Sequence, residues 1–220
     1  MATSARTGRP RVRNPRGQGE RLREALIEAA IDLLADLQDL ESLSVRAVTA
    51  RAGVTPTALY LHFADKDELL AAVKERCFGE LRRYVLAAER RPAIDARAQL
   101  QAMCLSYLAF AAELPGHYRV LFHTRRTSST DANAPAPSIL ERGWPPNAAE
   151  SFQDLLRGVK RCLPEGRDAF GTATMVWAGL HGYAALRGTL RHFPYPLPEE
   201  YVDLLLDAQL EAARPSDPLV

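Results

Sequence analysis

The chain has 220 residues, 47% of them hydrophobic and 25% charged, which is enough apolar material for a sizeable core and excludes disorder along its whole length. Its formal net charge is +1, so no overall field draws it to nucleic acid or to a membrane, and any such attraction must come from a local patch. Cys77, Cys104 and Cys162 are odd in number and widely spaced, which implies buried free thiols and neither a disulfide framework nor a zinc cluster.

In chain order, residues 1–19 carry Arg6, Arg9, Arg11, Arg13 and Arg16 without an acidic residue and are predicted to form a disordered basic arm. Its Gly8-Arg9-Pro10-Arg11 run matches the Gly-Arg-Pro core of minor-groove hooks, in which a flat guanidinium rides on a thin backbone. The alternative is an arm that adds only nonspecific phosphate affinity. No apolar stretch follows the positive start, as a secretory signal would require, and the chain is read as cytoplasmic. From there on helical spacing recurs with no strand-period alternation, so the expected fold class is all-α, with about nine helices.

The first predicted helix runs from near Glu20 to Asp36, with Leu22, Leu26, Ala29, Ala30, Leu33 and Leu34 on one face. Ser44 caps a second that ends at Gly53, and Thr55 caps a third that starts at Pro56 and reaches Phe63. Asp65 and Glu68 read as a capping box for the fourth. Thereafter Pro92, Pro115, Pro145, Pro146, Pro164, Pro194, Pro196 and Pro198 each fit a helix boundary. The polar stretch between Thr124 and Pro146 reads as a mobile loop. From Ala169 to Leu186 there is no Asp, Glu, Lys or Arg, but Thr172, Thr174, His181 and the glycines favour a helix buried in a core or interface over a membrane span. The last predicted helix begins at Pro198, has Glu199 and Glu200 in its first turn and stops before Pro215.

The most informative stretch is Ser44 to Leu70, SVRAVTARAGVTPTALYLHFADKDELL. Gly53 supplies a tight turn, and Val45, Val48, Ala52 and Val54 on one side with Leu59 and Phe63 on the other are spaced to pack two short helices across it, as in a helix-turn-helix. Ala52-Gly53-Val54-Thr55, Leu59-Tyr60, His62-Phe63, Lys66 and Leu69-Leu70, together with Val45 and Arg46, resemble the TetR-type transcriptional repressors over roughly residues 20–70. The resemblance implies a helix-turn-helix DNA-binding domain over 20–66, with a helical effector-binding and dimerisation domain over 67–214. Trp177-Ala178-Gly179-Leu180-His181-Gly182 resembles the Trp-His-Gly helix of one C-terminal subfamily.

The third helix holds no Arg, Lys, Asn or Gln, so direct base readout from it is modest. Pro56, Thr57 and Ala58 suit thymine methyls or a base edge, and Arg46 suits a guanine, both roles guided by the resemblance; a solvated helix face is the alternative for Arg46. Thr55, Tyr60, His62 and Lys66 suit phosphates, with ring packing compatible for Tyr60 and plain solvation open for His62.

Beyond Arg90 no catalytic constellation, metal-ligand spacing or cofactor motif emerges, so neither an enzyme nor a cofactor is expected. Met103, Tyr107, Phe110, Phe122, Met175, Trp177 and His181 read as the lining of a mostly apolar ligand cavity, with a core tryptophan and a hydrogen-bonded histidine as the alternative. Small residues at Gly171, Thr174, Ala178, Gly182 and Ala185, with Leu204, Leu205 and Ala208, suit either close packing inside the chain or the two-fold four-helix interface that the resemblance implies. The expected function is a homodimeric regulator, most simply a repressor, that leaves a near-palindromic DNA operator when an apolar or aromatic small molecule binds. The alternatives are an activator or ligand-independent regulator on the same fold, or an all-α small-molecule enzyme or binding protein.

Overall fold

A computed structural model describes residues 18–36, 42–122, 145–190 and 192–211. The basic arm with Arg9 and Arg11, and nearly all of the stretch between Thr124 and Pro146, lie outside the described residues. Within them the chain forms nine helices: α1 (Gln18–Asp36), α2 (Val45–Arg51), α3 (Pro56–Leu59), α4 (Lys66–Glu89), α5 (Ala96–Glu113), α6 (Pro115–Phe122), α7 (Pro146–Cys162), α8 (Ala169–Thr189) and α9 (Pro198–Glu211). The fold is all-α, as the spacing predicts.

Helix starts follow side-chain chemistry. The Ser44 hydroxyl accepts from the Ala47 amide at 3.1 Å, and the carboxylates of Asp65, Asp95 and Asp168 accept from the amides of Glu68, Ala98 and Gly171 at 2.8, 2.7 and 2.9 Å. The capping box at α4 is shifted by one residue, because the Glu68 carboxylate accepts from the Ala64 amide at 2.6 Å instead of that of Asp65.

Two expectations need correction. Thr55 occupies the cap position of α3, but its side chain makes no capping bond. Pro56 has no N–H to offer, and the Ala58 amide is taken by the Thr55 carbonyl at 2.9 Å. The third helix is also shorter than the stretch from Pro56 to Phe63. After Leu59 the chain tightens, with the amides of Leu61 and His62 bonding to the carbonyls of Ala58 and Leu59 three residues back. That winding turns Phe63, 1% exposed, into the core beside Leu59 and Val48.

α4 is the spine. Its buried residues Leu69, Leu70, Val73, Cys77, Leu81 and Ala88 pack against α1 at one end and against α5, α6 and α7 along the rest. Each fully buried leucine there is worth roughly 1.5–3 kcal/mol relative to exposure. Polar links fix the register of α4 on its neighbours. Arg76 bridges Glu24 and Glu28 of α1, the Glu75 carboxylate accepts from the Asn147 amide, and Arg82 reaches the buried Asp154 of α7 at 2.7 Å. On the far side, Arg97 of α5 holds Asp203 and Asp207 of α9.

α8 and α9 lie in direct contact because Gly179 has no side chain. A Cβ there would meet Leu205 Cδ1 at 2.8 Å, and the Tyr201 hydroxyl donates to the Gly179 carbonyl at 2.8 Å. No helix among the described residues is long and apolar enough to cross a membrane.

Candidate nucleic-acid interface and ligand site

The first candidate site is the face carried by α2 and α3. Gly53 adopts φ +70°, a conformation that costs little only for glycine, and reverses the chain between the two helices. The Val54 amide then donates to the Thr49 carbonyl at 2.9 Å, while the buried Thr49 hydroxyl donates back to Val45 at 2.9 Å. With Val48 and Leu59 fully buried, the turn is anchored from within. The outward groups are Arg46, Thr55, Pro56, Thr57 and Tyr60, all exposed, with Ala58, His62 and Lys66 half-buried around them.

His62 sits against the start of α1, its Cε1 3.6 Å from where a Gly19 Cβ would be. Lys66 opens α4. Leu61, which nothing in the sequence pattern marks, is 79% exposed beside Tyr60. A leucine left bare on this face is suited to sugar or thymine-methyl contact, and the tightened turn after Leu59 is what brings it outward. A helical spacing through Phe63 gives no hint of that.

The second candidate site lies where α5, α6, α7 and α8 meet. Of the residues expected to line a cavity, Tyr107, Phe122, Trp177 and His181 come together. The Phe122 ring lies 4.2 Å from the His181 ring and 6.3 Å from Trp177, and Tyr107 meets Tyr118 edge-on at 6.0 Å. Tyr118 and Phe152 belong to the same cluster beyond the residues expected there; Phe152 packs edge-on against Trp177 at 6.3 Å. The spacing of Tyr118 and Phe122, four apart on a short helix, was the signal available.

Three expected lining residues sit elsewhere. Phe110 is fully buried against Tyr84 of α4, at 5.5 Å edge-on. Met103 packs where Gly158 of α7 leaves room, its Sδ 3.4 Å from the position of a Cβ there. Met175 is 56% exposed and belongs to the outer face of α8. Helix geometry explains the separation, since Met175 and Trp177 are two residues and so about 200° apart around the axis.

The cluster is polar at a few points and charged at none of its rings. The Tyr118 hydroxyl and His181 Nδ1 are hydrogen-bonded at 2.7 Å, with the His181 carbonyl 3.3 Å from the same hydroxyl. Burial pushes the Tyr118 phenol up to about 12 and pushes the His181 imidazole below its ordinary value, so both stay neutral near pH 7. The Tyr107 hydroxyl is buried and completes no hydrogen bond. No group of three or more His, Cys, Asp or Glu side chains among the described residues is placed to hold a metal ion.

α6 touches both the cluster and α1. Tyr118 and Phe122 face the cluster, while Gly116 lies so close to α1 that a Cβ there would meet the Ala35 Cβ at 2.6 Å.

The outer face of α8 and α9 carries the expected interface residues in two groups. Ala178, Ala185, Leu204 and Ala208 are exposed, and a Cβ on half-buried Gly182 would meet nothing within 4 Å. Around them Met175, Leu186, Leu190, Phe193 and Leu197 are each at least half exposed. Thr174 is half-buried, its hydroxyl donating to the Phe170 carbonyl at 2.8 Å. Leu205 is turned inward onto Gly179, and Gly171 lies beneath its own cap Asp168, so these two are occupied within the chain.

Comparison with known proteins bears on both halves. Residues 26–73 match the family described as "Bacterial regulatory proteins, tetR family", and residues 100–212 match "Tetracyclin repressor-like, C-terminal domain". Among solved structures, a Rhodococcus sp. RHA1 protein of unknown function superposes with a TM-score of 0.69 at 24% identity, covering 92% of this chain and 100% of that one. A TetR family transcription regulator from Marinobacter aquaeolei VT8 gives 0.63 at 21% identity, over 90% and 98% of the two chains. SmeT, the repressor of a Stenotrophomonas maltophilia multidrug efflux pump, gives 0.58 at 21% identity, over 90% and 93%. With one family match ending inside α4 and the other, over more than half the chain, starting inside α5, the chain belongs to the TetR family of transcriptional regulators, with a DNA-binding N-terminal part and a ligand-binding C-terminal part.

Proposed function

We propose that the chain acts in the cytoplasm as a homodimeric repressor, with no catalytic activity, that leaves its operator when an apolar, aromatic small molecule enters the cluster around Tyr107, Phe122, Trp177 and His181. The observation that carries the reading is the double contact of α6. Its Phe122 ring fills the space against His181, and its Gly116 abuts Ala35 of α1. A ligand that displaces the Phe122 ring therefore moves a helix that bears directly on the DNA-binding part. Coupling of about 1–3 kcal/mol between such sites is typical, and it arises only if the ligand prefers the non-binding arrangement.

Two-fold assembly is supported by the exposed apolar face of α8 and α9 and by DNA geometry. One α3 reads few bases, and two must stand about 34 Å apart to enter successive major grooves. Arg46, Thr57 and Tyr60 are the side chains assigned to DNA, Arg46 to a base edge and the others to backbone or methyl contacts. In the test, fluorescence anisotropy follows binding to DNA from the chain's own upstream region while a panel of aromatic compounds is added. Specific binding relieved by at least one neutral aromatic compound supports the reading. Binding to that DNA no tighter than to random sequence refutes it.

A further inference from the structure

We propose that the Tyr107 hydroxyl is the polar anchor of this ligand site and that it selects an uncharged planar ligand bearing one hydrogen-bond acceptor oxygen, of the aryl ketone class. The inference rests on the ligand-site reading above and adds the chemistry of the ligand. Tyr107 is 6% exposed, and its Oη is the buried side-chain polar atom without a hydrogen-bond partner among the described residues. A buried hydroxyl in that state has given up water without completing a hydrogen bond, its polar neighbours being the Tyr118 hydroxyl and the Trp177 indole, and it is rarely tolerated without a use. Tyr118, in contrast, is already engaged by His181.

The geometry around Tyr107 sets the rest of the ligand. The Tyr118 ring stands edge-on at 6.0 Å, and the rings of Phe122, Trp177 and Phe152 continue the wall, which suits a flat apolar body. A phenol is a better donor than acceptor, so its natural complement is a carbonyl oxygen. Burial drives the Tyr107 phenol well above the ordinary tyrosine range, and His181 is held below its ordinary value. Both groups are neutral near pH 7, so neither would pair with a ligand carboxylate or ammonium.

The test uses the full chain and Tyr107→Phe, titrated calorimetrically with fluorenone, fluorene and fluorene-9-carboxylate. The intact chain is expected to bind fluorenone about ten-fold tighter than fluorene, the scale of one buried hydrogen bond, and to reject the carboxylate. Tyr107→Phe should erase that preference while leaving fluorene affinity unchanged. Without ligand it should melt no lower than the parent, because the lost hydroxyl had no partner. A preference for fluorenone that survives Tyr107→Phe, equal binding of the two neutral compounds, tight binding of the carboxylate, or a lower melting temperature each overturns the anchor while the ligand site stands. Failure of all three compounds to bind overturns the ligand site itself, and the anchor with it.

Discussion

Arg82 and Asp154 offer the sharpest check on how α4 is held, because the two partners of one ion pair are buried to very different degrees. The Asp154 side chain is 1% exposed and receives Arg82 Nε at 2.7 Å, with Arg157 bonded to its other oxygen. The arginine side chains are 29% and 55% exposed. Replacing Arg82 by Met keeps the aliphatic stem but leaves a buried carboxylate with one cation. Breaking a fully buried pair costs about 3–5 kcal/mol, and the remaining Arg157 reduces that to about 2 kcal/mol. Asp154→Asn removes the charge from inside and leaves Arg82 on the exposed Glu150 and Arg157 able to turn to water, a loss of about 1 kcal/mol. For a chain of this size the corresponding falls in melting temperature are roughly 4–8 °C and 2–4 °C. Urea unfolding of both variants and of the double variant measures each loss and the coupling. If Asp154→Asn costs as much as Arg82→Met, burial of the carboxylate does not govern this contact, and the account of α4 as locked onto α7 fails.

Three further outcomes are expected. Arg46→Ala should lose about 1–3 kcal/mol of preference between operator and single-base variants, which competition anisotropy measures; equal loss on random DNA would assign Arg46 to phosphate instead. Gly182→Glu places a charge on the open outer face of α8 and should yield monomers in sedimentation with weakened operator binding; an intact dimer would put the interface elsewhere. Burial holds the folded-state pKa of His181 below its ordinary value of 6.5, so the unfolded chain binds its proton more readily and stability should fall as pH drops below about 6.5. In His181→Gln that part of the slope, followed by urea midpoints between pH 7.5 and 5, should vanish.

Much of this arrangement was legible because it is set locally. The apolar face of α1, the Ser44 and Asp65 caps, Gly53 at positive φ and the prolines at Pro115, Pro146 and Pro198 all act through residues a few positions apart. What could not be read depends on rotation about helix axes and on partners far along the chain. Met175 and Trp177 look equally apolar in sequence, and only the packing of α8 decides that one faces the cluster and the other faces outward. Leu205 reads as an interface residue until Gly179, 26 positions earlier, is seen to receive it. Likewise Phe110 is aromatic at helical spacing with Tyr107, yet Tyr84 claims it from α4.

α6 spans only eight residues, too few for a helix to persist in water on its own, since nucleation is costly and two turns return little. Its helical state is therefore lent to it by the surfaces on either side: Ala35 of α1 against Gly116, and His181 against Phe122. The local opening free energy of α6 is then a joint property of the two surfaces it touches, distinct from the global stability of the chain. Anything that loosens one surface lowers the protection of the same few amides that the other surface relies on. Under the proposed function, order in this segment is shared between ligand and DNA, and hydrogen exchange reads it residue by residue long before any helix visibly moves.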